Sequence, residues 1–181
     1  MQTSDDLIAS KVPFARRWRV IDEIDLAGLV ASHATTDRLC TWLEACADRL
    51  PERPDPAEAL ALCAELEGRL LTHIEQEEQL LNAMFARDMA DPLCHILIDH
   101  IGTCHSACAT QAHDLIGALD PDAPGRRHLC AEALGYTMRS FFDGCRAAMA
   151  FEELSILTLA DKRLTPAARQ LLVRRLATSC R

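Results

Sequence analysis

The chain has 181 residues, about half of them apolar, which suits one well-cored domain better than two. Its formal charge is −8, and no predicted helical face collects lysine or arginine, so neither nucleic acid nor an anionic membrane surface is an expected partner. No leader pattern and no run of about 18 apolar residues is seen, which predicts a cytoplasmic protein that does not cross a membrane.

The composition favours helices packed on helices. Aromatic residues make up only 4% of the chain, glycine is sparse, and alternating β-branched runs are absent. We therefore expect a single all-α domain over residues 1–181, with its core at about 20–162.

The first two predicted helices are separated by prolines. Apolar residues recur at helical spacing over about 23–49, and His33 falls on the same stripe. An Asp-Pro pair at 55–56 combines an N-cap with a first-turn proline and predicts a second helix over about 56–86.

Three further helices follow. A second Asp-Pro pair opens a predicted third helix at about 92–118, with His100 on its inner stripe. After a proline-rich turn, a fourth helix is predicted at about 126–160 with Glu152 facing inward. A short amphipathic fifth helix at about 166–178 has an apolar face that needs a surface to cover.

Four long helices with short connections predict an antiparallel up-down-up-down bundle. In the second helix, His73 and Glu77 are four residues apart on the face expected to point inward, where they can bind one cation together. His33, His100 and Glu152 lie near the centres of their own helices, so an antiparallel arrangement brings them to a similar depth. An imidazole and carboxylate set suits iron, manganese or zinc, and we expect a non-haem centre, best fitted by two irons.

These residues resemble the hemerythrin-like family, the HHE cation-binding four-helix bundles, over about 20–178. The resemblance is carried by His33, Leu43-Glu44-Ala45-Cys46-Ala47-Asp48-Arg49-Leu50-Pro51, His73-x-x-x-Glu77-Glu78-x-x-Leu81, His100, Glu152-Glu153, Arg163-Leu164-Thr165-Pro166 and Arg174-Arg175. It implies a metal bound by His33, His73, Glu77, His100 and Glu152. The implied activities are binding of dioxygen or nitric oxide, iron handling, or sensing of oxidative and nitrosative stress.

Two positions depart from the family pattern. Ala148 stands where the fourth helix usually has a histidine, and Cys104 stands four residues after His100, where a second ligand often lies. The site is then depleted, holds a single metal ion, or uses replacement ligands. The replacement candidates are Asp37, Cys104, Glu153 and His105, with His105 ranked lower because it lies about 140° from His100 on a helical wheel.

Simpler interpretations stay open for single residues. His73 and Glu77 can be an exposed stabilising pair, and His33 or His100 taken alone can be a hydrogen-bonded core histidine. Cys104 and Cys108 share a face and can support thiol chemistry, although buried cysteine usually acts as a small inert hydrophobe.

Three functions compete. The expected one is a metal-binding or sensor protein for dioxygen, nitric oxide or iron. In the second, an enzyme uses the same centre to activate oxygen or disproportionate peroxide. In the third, which is the runner-up, a degenerate bundle has lost its metal and works as a regulatory module, with the fifth helix as a homodimer or partner surface.

Overall fold

The computed structural model describes residues 18–121 and 129–179. The helices are α1 Glu23–Arg49, α2 Pro56–Glu65, α3 Leu71–Phe85, α4 Pro92–Leu119, α5 Ala131–Leu159 and α6 Pro166–Ser179. A π-helical turn, Leu66–Leu70, links α2 directly to α3. Within the described residues there is no β-strand, only a single bridge between Ile21 and Leu164. The all-α prediction is confirmed.

Both Asp-Pro start signals work as the sequence indicates. The Asp55 carboxylate accepts a hydrogen bond from the backbone N–H of Glu58, and that of Asp91 accepts one from Leu93. Each cap satisfies a helix N–H group that has no partner inside its own helix, and the proline that follows it fits the first turn.

Two predicted helices need correction. The second is not uninterrupted, because the π turn lies just before α3. Apolar spacing does not reveal this turn, since the buried Leu66, Leu70 and His73 still follow one another at steps of four and three. The fourth begins at Ala131 rather than 126, because the backbone of Cys130 is extended there; residues 126–128 lie outside the described part.

The core is divided into two apolar clusters. The Phe141 cluster includes Leu43, Leu62, Leu115 and Phe141. The Phe85 cluster includes Leu26, Phe85, Ile101 and Ile156. Every long helical segment contributes to both clusters, so each one crosses the boundary between them.

The chain crosses this boundary in alternating directions. From N- to C-terminus, α1 and α4 pass from the Phe85 cluster to the Phe141 cluster, whereas α2 with α3 and then α5 pass the opposite way. Between α1 and α5, Asp48 pairs with Arg139 and Asp37 pairs with Arg146. Residue numbers in these contacts therefore decrease along α1 as they increase along α5.

The C-terminal helix α6 packs on α5 and α1. Its Ala168 and Leu172 are fully buried in the Phe85 cluster, which gives its apolar face the surface that the sequence requires. Among the described residues, none of the helices combines the length and the apolar character needed to cross a membrane.

Candidate metal centre

Five ionisable side chains meet at the boundary between the two apolar clusters. They come from α1, α3, α4 and α5, and each is at most 8% exposed: His33, His73, Glu77, His105 and Glu152. Each helix is apolar on both sides of its polar residue, so packing of the two clusters fixes the depth of this layer.

Glu77 lies at the middle of the group. Its Oε1 is 3.0 Å from Nε2 of His33 and 3.1 Å from Nδ1 of His73. Its other oxygen, Oε2, is 3.8 Å from Nε2 of His105. The two oxygens of one carboxylate therefore face different histidines.

Glu152 closes the group from α5. Its Oε2 lies 3.5 Å from Nε2 of His33 and also 3.5 Å from Nε2 of His105. Two sets of three side chains have ligand atoms close enough to hold a cation. The first set is His33, His73 and Glu77, and the second is Glu77, His105 and Glu152. Glu77 therefore belongs to both sets.

Several of these atoms are close to one another but are not oriented as hydrogen bonds. Nε2 of His33, Oε1 of Glu77 and both carboxylate oxygens of Glu152 are buried and have no hydrogen-bond partner among the described residues. Leaving a buried polar atom unpaired costs about 1–3 kcal/mol, and more for a charged group. A cation coordinated by these atoms removes that cost, so the donor set fits a metal ion.

The pKa values of the group also indicate that positive charge would stabilise it. Burial raises the pKa of Glu77 to about 7. Burial also acts to raise the pKa of Glu152, but the attraction of the nearby His105 and His33 side chains outweighs it and holds that pKa at about 2. Burial lowers the pKa of His73 to about 4. Burial acts in the same direction on His33, but Glu152, Glu153 and Glu77 together raise its pKa well above the ordinary value.

Comparison with known proteins agrees with this chemistry. The sequence model described as the Hemerythrin HHE cation binding domain matches residues 25–160. The chain belongs to this HHE family. No curated protein and no solved structure gives a significant match.

Four of the five side chains predicted as ligands lie in the group formed by His33, His73, Glu77, His105 and Glu152, called the HHE centre below. His33, His73, Glu77 and Glu152 come together in the structure as the sequence indicates. His100 does not join them. It is exposed at the surface, with its ring edge-on to Phe151 at 4.7 Å between centroids.

His105 stands in the position expected of His100. The error comes from the phase of α4, whose first half offers two apolar stripes one residue apart, because Leu93 and Cys94 both begin a plausible stripe. The C-terminal half contains the missed signal. Counted back from there, the buried positions run Leu119, Leu115, Ala112, Cys108, His105 and Ile101, at steps of three or four.

Two of the other replacement candidates lie away from the centre. Asp37 forms an ion pair with Arg146 at 3.2 Å. Cys104 lies beside His100, with Sγ 3.7 Å from its Nε2.

Glu153 supports the HHE centre from behind His33. Its Oε1 accepts a 2.7 Å hydrogen bond from Nδ1 of His33, and Arg175 of α6 donates to the same oxygen from 3.2 Å. With Nδ1 held in this way, Nε2 of His33 faces Glu77 and Glu152. Metal-binding histidines are commonly oriented by such a carboxylate. On the other side, the Ser32 hydroxyl hydrogen-bonds with Nδ1 of His73.

Proposed function

We propose that the chain is a non-haem iron protein that binds two iron ions and binds or senses dioxygen or nitric oxide. The ligands that we propose are His33, His73, Glu77, His105 and Glu152. The observation that carries this proposal is the position of Glu77, one oxygen of which faces His33 and His73 while the other faces His105.

A shared carboxylate supports two ions rather than one. A carboxylate has two oxygens and can bind two metal ions at once, whereas a histidine ring nitrogen binds a single ion. Glu152 strengthens this argument, because its Oε2 lies equally far from His33 and His105. A single iron, zinc or manganese ion is the alternative that the same donors allow.

The proposed fold is an antiparallel up-down-up-down four-helix bundle, with residues 1–181 as one domain. It is supported by the alternating order in which the helices cross from one apolar cluster to the other. In this architecture, facing helices project ligands into the bundle core, as the five side chains do here.

A small cavity beside the centre favours a small ligand. The cavity measures about 20 Å³ and is lined by His73, Glu77, His105 and Glu152 among others. A single water molecule needs roughly 10–15 Å³ on this measure. The space suits a molecule of two heavy atoms better than an organic substrate. Iron with open positions supplies binding and redox chemistry for dioxygen or nitric oxide, while the protein sets the size of what can approach.

The runner-up function, a bundle without metal that works as a regulatory module, is less well supported. In a bundle that binds no metal, two buried carboxylates would only lower stability, since replacing buried charges with packed apolar groups is often neutral or stabilising. The apolar face of α6 is also occupied by its own chain through Ala168 and Leu172. A homodimer or partner surface on α6 would depend on residues such as Val173, which is 50% exposed.

Anaerobic reconstitution with ferrous iron tests the proposal. We expect two ions per chain by elemental analysis and a new ultraviolet-visible absorption band on exposure to air or nitric oxide. The variant Glu77→Ala should lose the iron, while Glu75→Ala, on the exposed face of the same helix, should retain it. Less than one ion per chain, or equal iron in both variants, would refute the proposal.

A further inference from the structure

Three free thiols from three helices lie together on the Phe141 side of the metal centre. Cys40 of α1, Cys108 of α4 and Cys145 of α5 are all buried in the Phe141 cluster. The side chain of Cys145 interacts with those of both Cys108 and Cys40. These cysteines are therefore neighbours within the core.

Two of these thiols also line the cavity described above. Cys108 and Cys145 share its wall with Glu77, His105 and Glu152. The cavity is the feature that separates Cys108 and Cys145 from an ordinary buried cysteine, because it gives a small molecule a place beside both sulfurs. Without such a space, a buried thiol packs as an inert apolar group.

Ala148 explains why this space exists. It lines the same cavity, one helical turn before Glu152. The methyl group of alanine leaves room that a longer side chain at this position would fill. Cys108 and Cys145 border this space beside the metal centre, which the small side chain of Ala148 leaves open.

We propose that Cys108 and Cys145 form a redox-active dithiol that reduces hydrogen peroxide in this cavity and closes a disulfide between α4 and α5. The inference goes beyond the proposed function, because it requires the thiols and the cavity but not the iron. It adds a peroxide-consuming modification site to a metal-binding protein.

The reaction balances with peroxide as its only oxidant. One sulfur attacks an oxygen of hydrogen peroxide, the O–O bond breaks, and a sulfenic acid and one water form. The second sulfur then displaces the hydroxyl group from the sulfenic sulfur, which forms the S–S bond and releases a second water. Two thiols lose two electrons and two protons, and one peroxide becomes two waters.

The other buried cysteines are poorer candidates. Burial raises the pKa of Cys46 and of Cys63 to about 11, and in both cases neighbouring acidic groups add to this effect. The interaction between Cys108 and Cys145 instead lowers the pKa of Cys108 and raises that of Cys145. Since the thiolate is the nucleophile, this difference favours Cys108 as the sulfur that attacks peroxide, with Cys145 closing the disulfide.

Thiol mapping on the full chain tests the proposal. Reduced protein is treated with hydrogen peroxide with and without bound iron, free thiols are alkylated, and peptides are mapped without reduction. We expect the loss of two hydrogens and a peptide pair joined through Cys108 and Cys145. Cys108→Ser and Cys145→Ala should each abolish this product, whereas Cys94→Ser, a buried cysteine in the Phe85 cluster, should retain it.

The possible outcomes separate this inference from the proposed function. A disulfide between any other pair of cysteines, or all thiols still alkylatable after peroxide treatment, overturns the dithiol. Iron content measured on the same samples tests the metal centre independently, because a chain without iron can still form the disulfide. Thermal melts of Cys108→Ser and Cys145→Ala confirm that loss of the product does not come from loss of the fold.

Discussion

The substitution Glu77→Gln should reverse the order of stability between the metal-free and the metal-bound protein. Burial raises the pKa of Glu77 to about 7 from an ordinary value of 4.5. A carboxyl group with a raised pKa leaves stability intact below pH 4.5 and lowers it as the pH rises towards 7. At about pH 8 the ionised group therefore costs the folded state up to about 3 kcal/mol, since each pKa difference of one corresponds to about 1.4 kcal/mol.

Glutamine has the same shape as glutamate and no charge, so the metal-free variant should be more stable than the parent chain near pH 8, and the difference should vanish near pH 4. For a protein of this size, about 3 kcal/mol corresponds to a rise in Tm of roughly 6–12 °C. With metal at about 1,000 times its dissociation constant, the parent chain gains about 4.1 kcal/mol, which the variant largely loses. Metal should therefore make the parent chain the more stable of the two.

Thermal and urea melts followed by circular dichroism, in chelator and in ferrous iron without oxygen, measure both differences. The control is Glu75→Gln, an exposed position on α3, which should follow the parent chain under every condition. The reasoning is wrong if the metal-free Glu77→Gln protein is less stable than the parent at about pH 8. It is also wrong if the difference between the two proteins does not change with pH.

Four further predictions address the centre and the core. In iron titrations, His105→Ala should lower affinity more than about tenfold, whereas the surface change His100→Ala should leave it unchanged. Glu153→Gln should lower affinity by about 10–100-fold, since it removes the negative charge that holds Nδ1 of His33 but touches none of the proposed ligand atoms. Affinity measured by competition with a chelator should rise about tenfold from pH 6 to pH 8 through Glu77 alone, because a carboxyl group of pKa about 7 must lose its proton to bind metal. Leu115→Ala, at a fully buried position in the Phe141 cluster, should cost about 2–5 kcal/mol in urea denaturation.

The positions of the helices are predictable because their signals are local. Asp55 and Asp91 each cap a helix through their own side chains within two or three residues, and a proline follows each one. The start of α5 has no comparable cap, since the Cys130 side chain makes no capping hydrogen bond. That boundary is the one that sequence reasoning places five residues too early.

The candidate site is less predictable because it depends on helix phase and on contacts distant in sequence. The choice between His100 and His105 requires the phase of α4 to be known to within one residue, and its first half leaves that phase undetermined. The pairing of Glu153 with His33 joins positions 120 residues apart. Spacing shows that Glu152 and Glu153 are adjacent, but not that one faces the centre while the other supports it.

The cost of the polar layer itself is an argument for the metal. The layer separates two apolar clusters that would otherwise form a continuous core, and Oε1 of Glu77 and both carboxylate oxygens of Glu152 have no hydrogen-bond partners among the described residues. In the metal-free chain, protons on His33 and His105 offset part of this negative charge, since the neighbouring carboxylates raise the pKa of both histidines although burial opposes it. A divalent cation neutralises the same carboxylates and leaves the imidazoles uncharged as ligands. The ionised form of Glu77, whose pKa burial raises to about 7, is therefore the group that gains most from bound metal, which is why metal should stabilise the parent chain more than Glu77→Gln.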